Sequence, residues 1–270
     1  MRKLAGQSWP WTSDKILMTY KFTNVKREHD RTSKLLIEEF YKPNFKAPRE
    51  QLLLNCTLAR YFGTIEFMRA IGWQTSFKPK YLKEVARSRA DRGERVFTGA
   101  YIITSGGKSG PKEETVINEF VGALWKERKA LIPHWDYWQG FIETLMTVPG
   151  FGGSGFQAKE VCLDTRYTSF WAEGYPLDMN TWTPIGPGSQ RGAARVLGHT
   201  DKRKSSPEET LAVCKQLFHD KKFYLPKKFV TLELHDIQFQ LCEFDKYERT
   251  RLGQGRPRSM YKHGTQLELI

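Results

Sequence analysis

The sequence predicts a mainly α-helical fold with few short strands. Apolar residues recur at helical spacing along most of the 270 residues. Recognisable start and stop residues flank these stretches. Alternating, β-branched patterns are confined to residues 96–104 and to the first residues of 229–250.

The predicted helices follow in chain order from their apolar spacing. They cover two pieces of 14–41 joined by polar side chains, then 49–73, 78–93, 112–135, 136–148, a helix from 155, 206–220 and most of 229–250. Gly63 interrupts the stretch 49–73, and Pro149 ends a later helix. Ser206 is a favourable N-cap, and Pro207 follows it at the first helical position. The stretch VFTGAYIIT predicts a short strand or a buried extended segment.

Short connections and the lack of a clear linker predict one compact domain over residues 1–270. The weakest joint is the polar, basic loop 198–207, and the Gly/Pro/Arg-rich tail 253–270 is predicted to be irregular. No apolar run approaches the roughly 18 residues of a membrane helix. Residues 1–15 also lack the apolar core of a signal peptide. We therefore expect a soluble intracellular protein without a membrane partner.

The net charge of +13, from 43 Lys/Arg and 30 Asp/Glu, favours a polyanionic partner, most simply nucleic acid. Residues 1–49 hold 11 basic against 5 acidic side chains, and residues 245–262 hold 6 against 2. A basic protein without such a partner is the alternative.

The four cysteines do not have the spacing of a metal or redox site. Cys56, Cys162, Cys214 and Cys242 have no partner at Cys-x-x-Cys spacing. A zinc ribbon or a thioredoxin-like site is therefore not expected, and no metal site is predicted. The thiols are predicted to be free and buried or partly buried.

The stretch TSGGKSG (104–110) ends like a nucleotide-binding phosphate loop. That motif needs a glycine at the position occupied by Ile102. The stretch is therefore predicted to be a solvated turn.

The stretch LMTVPGFG has the pattern of a helix-hairpin-helix. Pro149, Gly150 and Gly152 would let the backbone approach a DNA phosphate, and the next helix would present its N-terminal N–H groups. Lys159 and Arg166 are predicted as further DNA contacts. Because GSG intervenes before the next helix, a plain turn between packed helices is the alternative.

Asp164 follows this hairpin in CLDTRYT and is a candidate catalytic carboxylate. An Asp at such a place is similar to the one that DNA glycosylases use in their sugar chemistry. The alternative is an Asp that pairs with Arg166 or caps a turn.

The Gly-rich loop GPGSQRG leads into a helix and predicts a pocket for phosphate or diphosphate. Gly188 permits close backbone approach, while Ser189 and Arg191 add donors. Arg195 lies one turn after Arg191 and shares its helical face. A structural loop with exposed arginines is the alternative.

The stretch KFTNVKREHDR places Asn24, Arg27 and Arg31 on one face of a predicted helix. Asn can read a base edge, and Arg can hold a phosphate. Asp30 lies among them and is a candidate general base. A charged, solvated helix face is the alternative.

Asp236, Glu243 and Lys246 recur at spacings of 7 and 3 and so share one helical face. A carboxylate here could deprotonate an amine, and Lys246 could neutralise a leaving phosphate. An ion pair between Glu243 and Lys246 within the helix is the alternative.

Five blocks, taken in order, resemble one family. They are YKFTNVKREHDRTSKLL, VFTGAYII, VPGFGGSGFQAKEVCLDTRY, GPGSQRGAARVLG and LCEFDKYERTRLGQGRPR. They resemble the alpha-glutamyl/putrescinyl-thymine pyrophosphorylases of phages, also called amino acid:DNA transferases, which are similar to the helical domain of 5-hydroxymethyluracil DNA kinases. The resemblance covers roughly 14–262 and implies a fold akin to helix-hairpin-helix DNA glycosylases. Without a phosphate loop of correct spacing, the chain is more similar to the transferases than to the kinases.

The resemblance implies a reaction on 5-diphosphooxymethyl-deoxyuridine in double-stranded DNA. An amine, which could be glycine, another amino acid or a polyamine, displaces pyrophosphate and gives a hypermodified thymidine. The target base would leave the stack to reach the site. The candidates to hold the diphosphate are Arg191, Lys246 and Arg31, and the candidates to take the amine proton are Asp164, Asp236, Glu243 and Asp30.

The implied partners are DNA carrying a modified uracil, the amine and a 5-hydroxymethyluracil DNA kinase. No cofactor is expected, and a need for a divalent metal is left open. The implied location is the cytoplasm of the infected bacterial host. Two other classes stay open: a glycosylase that uses Asp164 and releases free base, and a non-catalytic DNA-binding module that partners the kinase.

Overall fold

The computed structural model describes residues 6, 8–99, 101–131, 136–171, 174–199, 204–227 and 231–263. These ranges are mainly helical, which confirms the predicted class. No strand forms in them, and the only sheet-like pairing that they contain is a single antiparallel bridge between Tyr20 and Met260. No helix in the same ranges has the length and apolar character needed to cross a membrane.

The helices form close to where their apolar spacing places them. They are α1 (Lys15–Thr19), α2 (Arg31–Leu36), α3 (Arg49–Phe62), α4 (Ile65–Ile71), α5 (Pro79–Asp91), α6 (Lys112–Thr115), α7 (Gly122–Leu131), α8 (Trp138–Met146), α9 (Phe156–Thr165), α10 (Pro187–Val196), α11 (Pro207–Tyr224) and α12 (Leu234–Arg251). π-Helical turns at Ile37–Tyr41 and Val116–Val121 extend α2 and join α6 to α7.

Two predicted helix boundaries are confirmed by their backbone geometry. Gly63 ends α3 in the left-handed region, at φ 64°, where a side chain would be strained. Ser206 caps α11 and forms a capping box with Glu209, while Pro207 occupies the first turn.

Two local predictions are wrong. The strand predicted at 96–104 does not form in the described residues, and only Ile103 among them is buried, so the alternative of a buried extended segment is not met either. The single helix face predicted for Asn24, Arg27 and Arg31 does not exist. Asn24 lies in extended chain, Arg27 starts a 3-10 turn, and Arg31 begins α2.

The chain divides into two compact units. The terminal unit comprises Met1–Ser33 with Ile185–Ile270, and the central unit comprises Lys34–Pro184. By sequence, the terminal unit holds 23 Lys/Arg against 13 Asp/Glu, whereas the central unit holds 20 against 17. The terminal unit therefore carries a net +10 of the total +13. Folding as one domain stays a prediction.

The central unit has an aromatic and aliphatic core. α3 packs against α9, and its residue Phe62 stacks on Phe67 with ring centroids 3.8 Å apart. Phe141 of α8 contacts the rings of Phe170 and Trp171 at 5.2 and 5.6 Å. These contacts fix the positions of α8 and α9 and of the turn that joins them.

The core of the terminal unit forms where α10 and α11 pack against α12. It contains buried Ala193, Cys214 and Leu241. Gly192 allows the close crossing of α10 and α12, since a Cβ at this position would lie 2.1 Å from the Leu241 carbonyl oxygen. α12 is therefore held rigidly along one side.

The N-terminal segment, residues 8–33, and the tail also belong to the terminal unit. The Lys21 N–H donates to the Ser259 carbonyl, and the Tyr261 N–H donates to the Thr19 carbonyl, both at 2.9 Å. The described part of the tail, 253–263, contains no helix, as predicted. Residues 264–270 of the predicted tail and 200–203 of the predicted joint lie outside the described residues.

All four cysteines are thiols, as predicted. Cys56, Cys162 and Cys214 are buried, and Cys242 is partly buried.

Candidate functional site

Most of the predicted site residues belong to the terminal unit, and they lie on α12 or on the segments around it. Successive side chains on a helix project about 100° apart, so one helix can present different faces to different neighbours. Phe239, Glu243 and Lys246 face the N-terminal segment, whereas Gln238 and Asp245 face α10. Residues predicted from three distant blocks therefore meet around one helix.

Glu243 and Lys246 tie the N-terminal segment to α12. A carboxylate oxygen of Glu243 accepts the Thr23 backbone N–H at 2.9 Å and lies 2.5 Å from the Lys246 ammonium. The ammonium also lies 3.4 Å from the Lys21 carbonyl oxygen and 5.0 Å from the centre of the Phe22 ring. The predicted ion pair is present, and both charges are held in fixed positions.

The N-terminal segment carries its own small network. Asp30 accepts hydrogen bonds from Arg27 at 2.8 Å and from Asn24 at 3.4 Å. Asn24 also donates to the His29 carbonyl, and the Arg27 guanidinium lies 5.6 Å from the Phe239 ring centre. Asn24, Arg27 and Asp30 thus lie together in a turn, whereas Arg31, predicted on the same face as Asn24 and Arg27, begins α2.

Three arginines surround one buried carboxylate on the other side of α12. Asp245 is fully buried, and its two oxygens accept from Nε of Arg191 at 2.8 Å and Nε of Arg195 at 2.9 Å. Arg249 Nε lies 3.2 Å from the same carboxylate. A guanidinium has five N–H donors, and one further nitrogen of Arg195 donates to the Gln254 side-chain oxygen at 2.9 Å. The group, named here the arginine cluster, carries a surplus of two positive charges over Asp245.

Gly188 and Ser189 serve the packing of α10 rather than presenting donors outward. Ser189 is buried, donates to the Gly186 carbonyl at 2.9 Å and accepts from Gln238 at 3.0 Å. A Cβ on Gly188 would lie 3.0 Å from the Cys242 sulfur. Of the predicted diphosphate contacts on α10, Arg191 alone has a partly exposed charged group.

The two faces of α12 adjoin along Cys242, Lys246 and Arg249, named here the α12 stripe. These residues follow each other at i, i+4 and i+7, so their side chains are neighbours. Lys246 belongs to the Glu243 pair, and Arg249 belongs to the arginine cluster. The stripe therefore connects the Glu243–Lys246 pair to the arginine cluster along one helix.

Asp236 lies at the start of α12 in a reciprocal cap with Glu233. Its side chain is 3% exposed, and one oxygen lies 3.3 Å from Nε2 of His235. Glu233, His235 and Asp236 place ligand atoms within 4.8 Å of one another, and this donor set could hold a divalent cation. Burial lowers the pKa of Lys221, while Asp236 and Glu233 act against that shift.

The predicted hairpin lies in the central unit between α8 and α9. Pro149, Gly150 and Gly152 are exposed, and Gly150 has φ 89°. A Cβ at Gly150 would lie 2.3 Å from the Phe120 ring, so glycine is required for packing as well as for the turn. Gly155 starts α9 without a side-chain cap, which leaves the N-terminal N–H groups of α9 without that partner. The helix, turn and helix are present, and DNA binding by them stays a prediction.

The two side chains predicted to support the hairpin differ in exposure. Lys159 is 3% exposed, so its side chain is inside the central unit. Arg166 is partly buried and contacts the Tyr167 hydroxyl at 3.2 Å. Of the two side chains, Arg166 is the more exposed.

Asp164 is enclosed by a buried network. Its carboxylate accepts from Nε of Arg60 at 2.7 Å, from a second nitrogen of Arg60, and from the Tyr41 hydroxyl at 2.5 Å. Glu160 lies 3.7 Å from Arg60 and is also buried. The alternative partner from the sequence, Arg166, is therefore wrong, because Arg60 reaches Asp164 across the packing of α3 on α9.

The network shifts the pKa of its members. Burial alone would lower the pKa of Arg60, but Asp164 and Glu160 together raise it well above its ordinary value. Burial, reinforced by Asp164, raises the pKa of Tyr41, which keeps the hydroxyl as a neutral donor. Arg60 and Tyr41 were not found from the sequence, since neither lies in a motif.

Sequence reasoning also missed Asp245 and Arg249. Their i, i+4 spacing is a helical ion-pair pattern and could have identified them as a pair. The contact of Asp245 with Arg191 has no such local pattern.

Comparison with known proteins gives one family and one relative. The family described as "5-hmdU DNA kinase, helical domain" matches residues 1–256. A "5-hmdU DNA kinase" of Bacillus phage SP10 is 29% identical over 219 residues, which are 73% of this chain and 33% of that kinase. The chain thus spans about a third of the length of this curated relative. No solved structure shows a significant match.

Proposed function

The chain belongs to the family of 5-hmdU DNA kinase helical domains, and we propose that it is a transferase of phage DNA hypermodification. Its substrate would be 5-diphosphooxymethyl-deoxyuridine in double-stranded DNA, and its second substrate an amine. The product would be a thymidine with the amine on its 5-methylene carbon. Two things support this proposal: the kinship with a phage enzyme named for 5-hmdU, and the chemistry of the terminal unit.

The arginine cluster is the observation that carries the proposal. A diphosphate leaving group develops negative charge as its bond to carbon breaks, and fixed cations stabilise that charge. Arg191 and Arg249 are oriented by a buried carboxylate that neutralises only part of their charge. Arginine also matches phosphate geometry better than lysine does. The cluster is thus suited to hold a diphosphate.

In the proposed reaction the lone pair of the amine nitrogen attacks the 5-methylene carbon and forms the C–N bond. The C–O bond to the diphosphate breaks, and its electron pair leaves with pyrophosphate. The nitrogen loses one proton to a carboxylate. Since pyrophosphate is a good leaving group, positioning of the two substrates would contribute most of the rate.

Residues of the α12 stripe and of the two groups that it connects could carry out these steps. Arg191 and Arg249 would bind the diphosphate, with Lys246 beside them. Glu243 would take the proton, because its carboxylate is on the adjoining face and is held by Thr23 and Lys246. Asp30, Asn24 and Arg27 lie on the N-terminal segment next to this face and are further candidates for binding the amine or the base. Neither the displacement of pyrophosphate nor the proton transfer needs an organic cofactor.

Asp164 is given a structural role in this proposal. Its two oxygens are occupied by Arg60 and Tyr41 inside the core, away from solvent. A sugar ring in DNA could not reach the carboxylate without loss of this network. The geometry therefore favours transfer over base excision.

A second candidate function is a non-catalytic helical module that works with a 5-hmdU DNA kinase. The observation that favours it is that the chain corresponds to a third of a protein named as that kinase. In either case the kinase would be the functional partner, DNA the shared substrate, and the host cytoplasm the place of action.

The test is an assay on DNA that contains 5-hydroxymethyluracil, with a 5-hmdU DNA kinase, ATP and a panel of amines. Nucleoside mass spectrometry should reveal an amine adduct that is absent without this protein. Arg191→Gln and Arg249→Gln should each slow its formation by about tenfold or more. Arg251→Gln is the matched control, since Arg251 lies on the same helix but pairs with Glu248.

Each alternative has its own outcome in this assay. Free base and abasic sites would indicate a glycosylase. Tight DNA binding with an unchanged diphosphorylated nucleoside, for every amine, would leave the module as the function.

A further inference from the structure

The end of α11 exposes two adjacent aromatic rings. Tyr224 is 82% exposed and Phe223 is 68% exposed, the highest values among the large aromatic side chains of the described ranges. Single exposed hydrophobic residues are common on protein surfaces, but two at consecutive positions leave a large apolar area in water. The pair lies outside the site described above and is not used by the proposed chemistry.

The surroundings of this pair are basic. Residues 215–228 contain five lysines and one aspartate. Lys215, Lys222 and Lys227 are exposed. The Lys222 ammonium lies 5.0 Å from the centre of the Phe223 ring. The ammonium groups complement the anionic backbone of a nucleic acid. The exposed rings offer flat apolar faces on which its bases can stack.

The helix that carries the pair is firmly anchored. Its first turn has a capping box, and Leu217 and Phe218 pack on the core of the terminal unit. Near its end, the Lys221 ammonium contacts the Leu232 carbonyl and lies 3.6 Å from the Phe218 ring centre. The aromatic pair is therefore presented from a rigid element, which lowers the entropic cost of binding a ring against it.

We propose that Phe223 and Tyr224, with Lys215, Lys222 and Lys227, form a stacking surface for unpaired bases of DNA. The rings would stack on bases that have left the duplex, and the lysines would contact the flanking phosphates. Paired bases cannot stack on the surface because their faces are covered within the duplex. The proposal rests on the proposed function only in that the partner is DNA.

The experiment measures the affinity of the full chain for two unmodified DNA probes by fluorescence anisotropy. One is a fully paired duplex, and the other is the same duplex with a short unpaired bubble. The wild type should bind the bubble more tightly. The double variant Phe223→Ala/Tyr224→Ala should bind the bubble about tenfold more weakly or worse, and the paired duplex as well as before.

A matched control is Tyr137→Ala/Tyr175→Ala, which removes two rings of the central unit that are 57% and 61% exposed. It should leave both affinities unchanged. Circular dichroism and thermal unfolding of each variant show whether the fold is retained.

Equal bubble affinity of the wild type and the Phe223→Ala/Tyr224→Ala variant would overturn the stacking surface while leaving the proposed function intact. The same holds for a wild type that binds both probes equally. If the wild type binds neither probe, the stacking surface and the action on DNA are both overturned.

Discussion

At the scale of single residues, the two units use arginine against buried carboxylate in opposite proportions. In the central unit, one arginine, Arg60, faces Asp164 and Glu160, and all three are buried. In the terminal unit, three partly exposed arginines face one buried carboxylate, Asp245. Counting these residues alone, the first arrangement has one negative charge in excess and is buried, whereas the second has two positive charges in excess on partly exposed side chains. This difference separates a structural network from a candidate binding site.

The Arg60 network leads to a prediction on stability. Arg60→Met removes the cation but leaves two carboxylates in the core, and a buried charge without its partner is costly. We expect the free energy of unfolding to fall by about 3–5 kcal/mol. Chemical denaturation followed by circular dichroism measures the change.

The control for this variant is Arg69→Met, which breaks the exposed pair of Arg69 with Glu39. Solvent screens that pair, so its loss should be much smaller. If Arg60→Met and Arg69→Met cost the same, the buried network does not stabilise the central unit.

Which residues could be predicted depended on the distance between partners along the chain. The Glu243–Lys246 pair lies within one turn and was read from its spacing. Asp245 was missed because its partner Arg191 is 54 residues away, and Arg60 was missed because it is 104 residues from Asp164. Such pairs depend on helix packing, which no local pattern specifies.

At the scale of elements, the crossing of α10 and α12 determines the arginine cluster. Arg191 and Arg195 reach Asp245 only because the two helices approach closely, and Gly192 permits that approach. The glycine was read from the sequence as an aid to binding a phosphate. Its contact with the Leu241 carbonyl shows that it fits one helix against another.

Gly192→Ala tests this crossing. The added methyl group would overlap backbone, which cannot rotate away as a side chain can, so the helices must separate. We expect a loss of unfolding free energy of about 1–3 kcal/mol and weaker binding of inorganic pyrophosphate. Denaturation and isothermal titration calorimetry measure the two effects.

Gly186→Ala provides the comparison, since a Cβ at Gly186 has no atom within 4 Å. If Gly192→Ala loses no more stability than Gly186→Ala, then α10 and α12 can move apart without cost to the fold. If Gly192→Ala loses much stability but still binds pyrophosphate, the arginine cluster does not depend on the close crossing of α10 and α12.

Elements with strong end residues were predicted well, and those without them were not. α3 and α11 have clear boundaries at Gly63 and Ser206. Residues 21–26 have helical apolar spacing but form no helix, and the backbone N–H groups of Lys21 and Thr23 bond to the tail and to Glu243 instead. Tertiary contacts of this kind override local preference.

At the scale of the whole molecule, the surplus charge and the predicted hairpin lie in different units. The terminal unit holds a net +10, whereas the central unit, with the hairpin at 149–152, holds a net +3. Affinity for DNA comes mainly from ion pairs with phosphates and the release of counterions. From this charge distribution we expect any DNA affinity to come mainly from the terminal unit, with the hairpin adding a few backbone contacts.

A fragment of residues 31–184, which keeps α2 whole and contains the central unit, distinguishes these contributions. It has its own core, so we expect cooperative unfolding and a helical circular dichroism spectrum. Its DNA affinity should fall less steeply with salt than that of the full chain, with less than half the slope of log K against log salt concentration, because it offers fewer ion pairs. A fragment that folds and keeps the full slope would place DNA binding on the hairpin, and the basic terminal unit would then need another anionic partner.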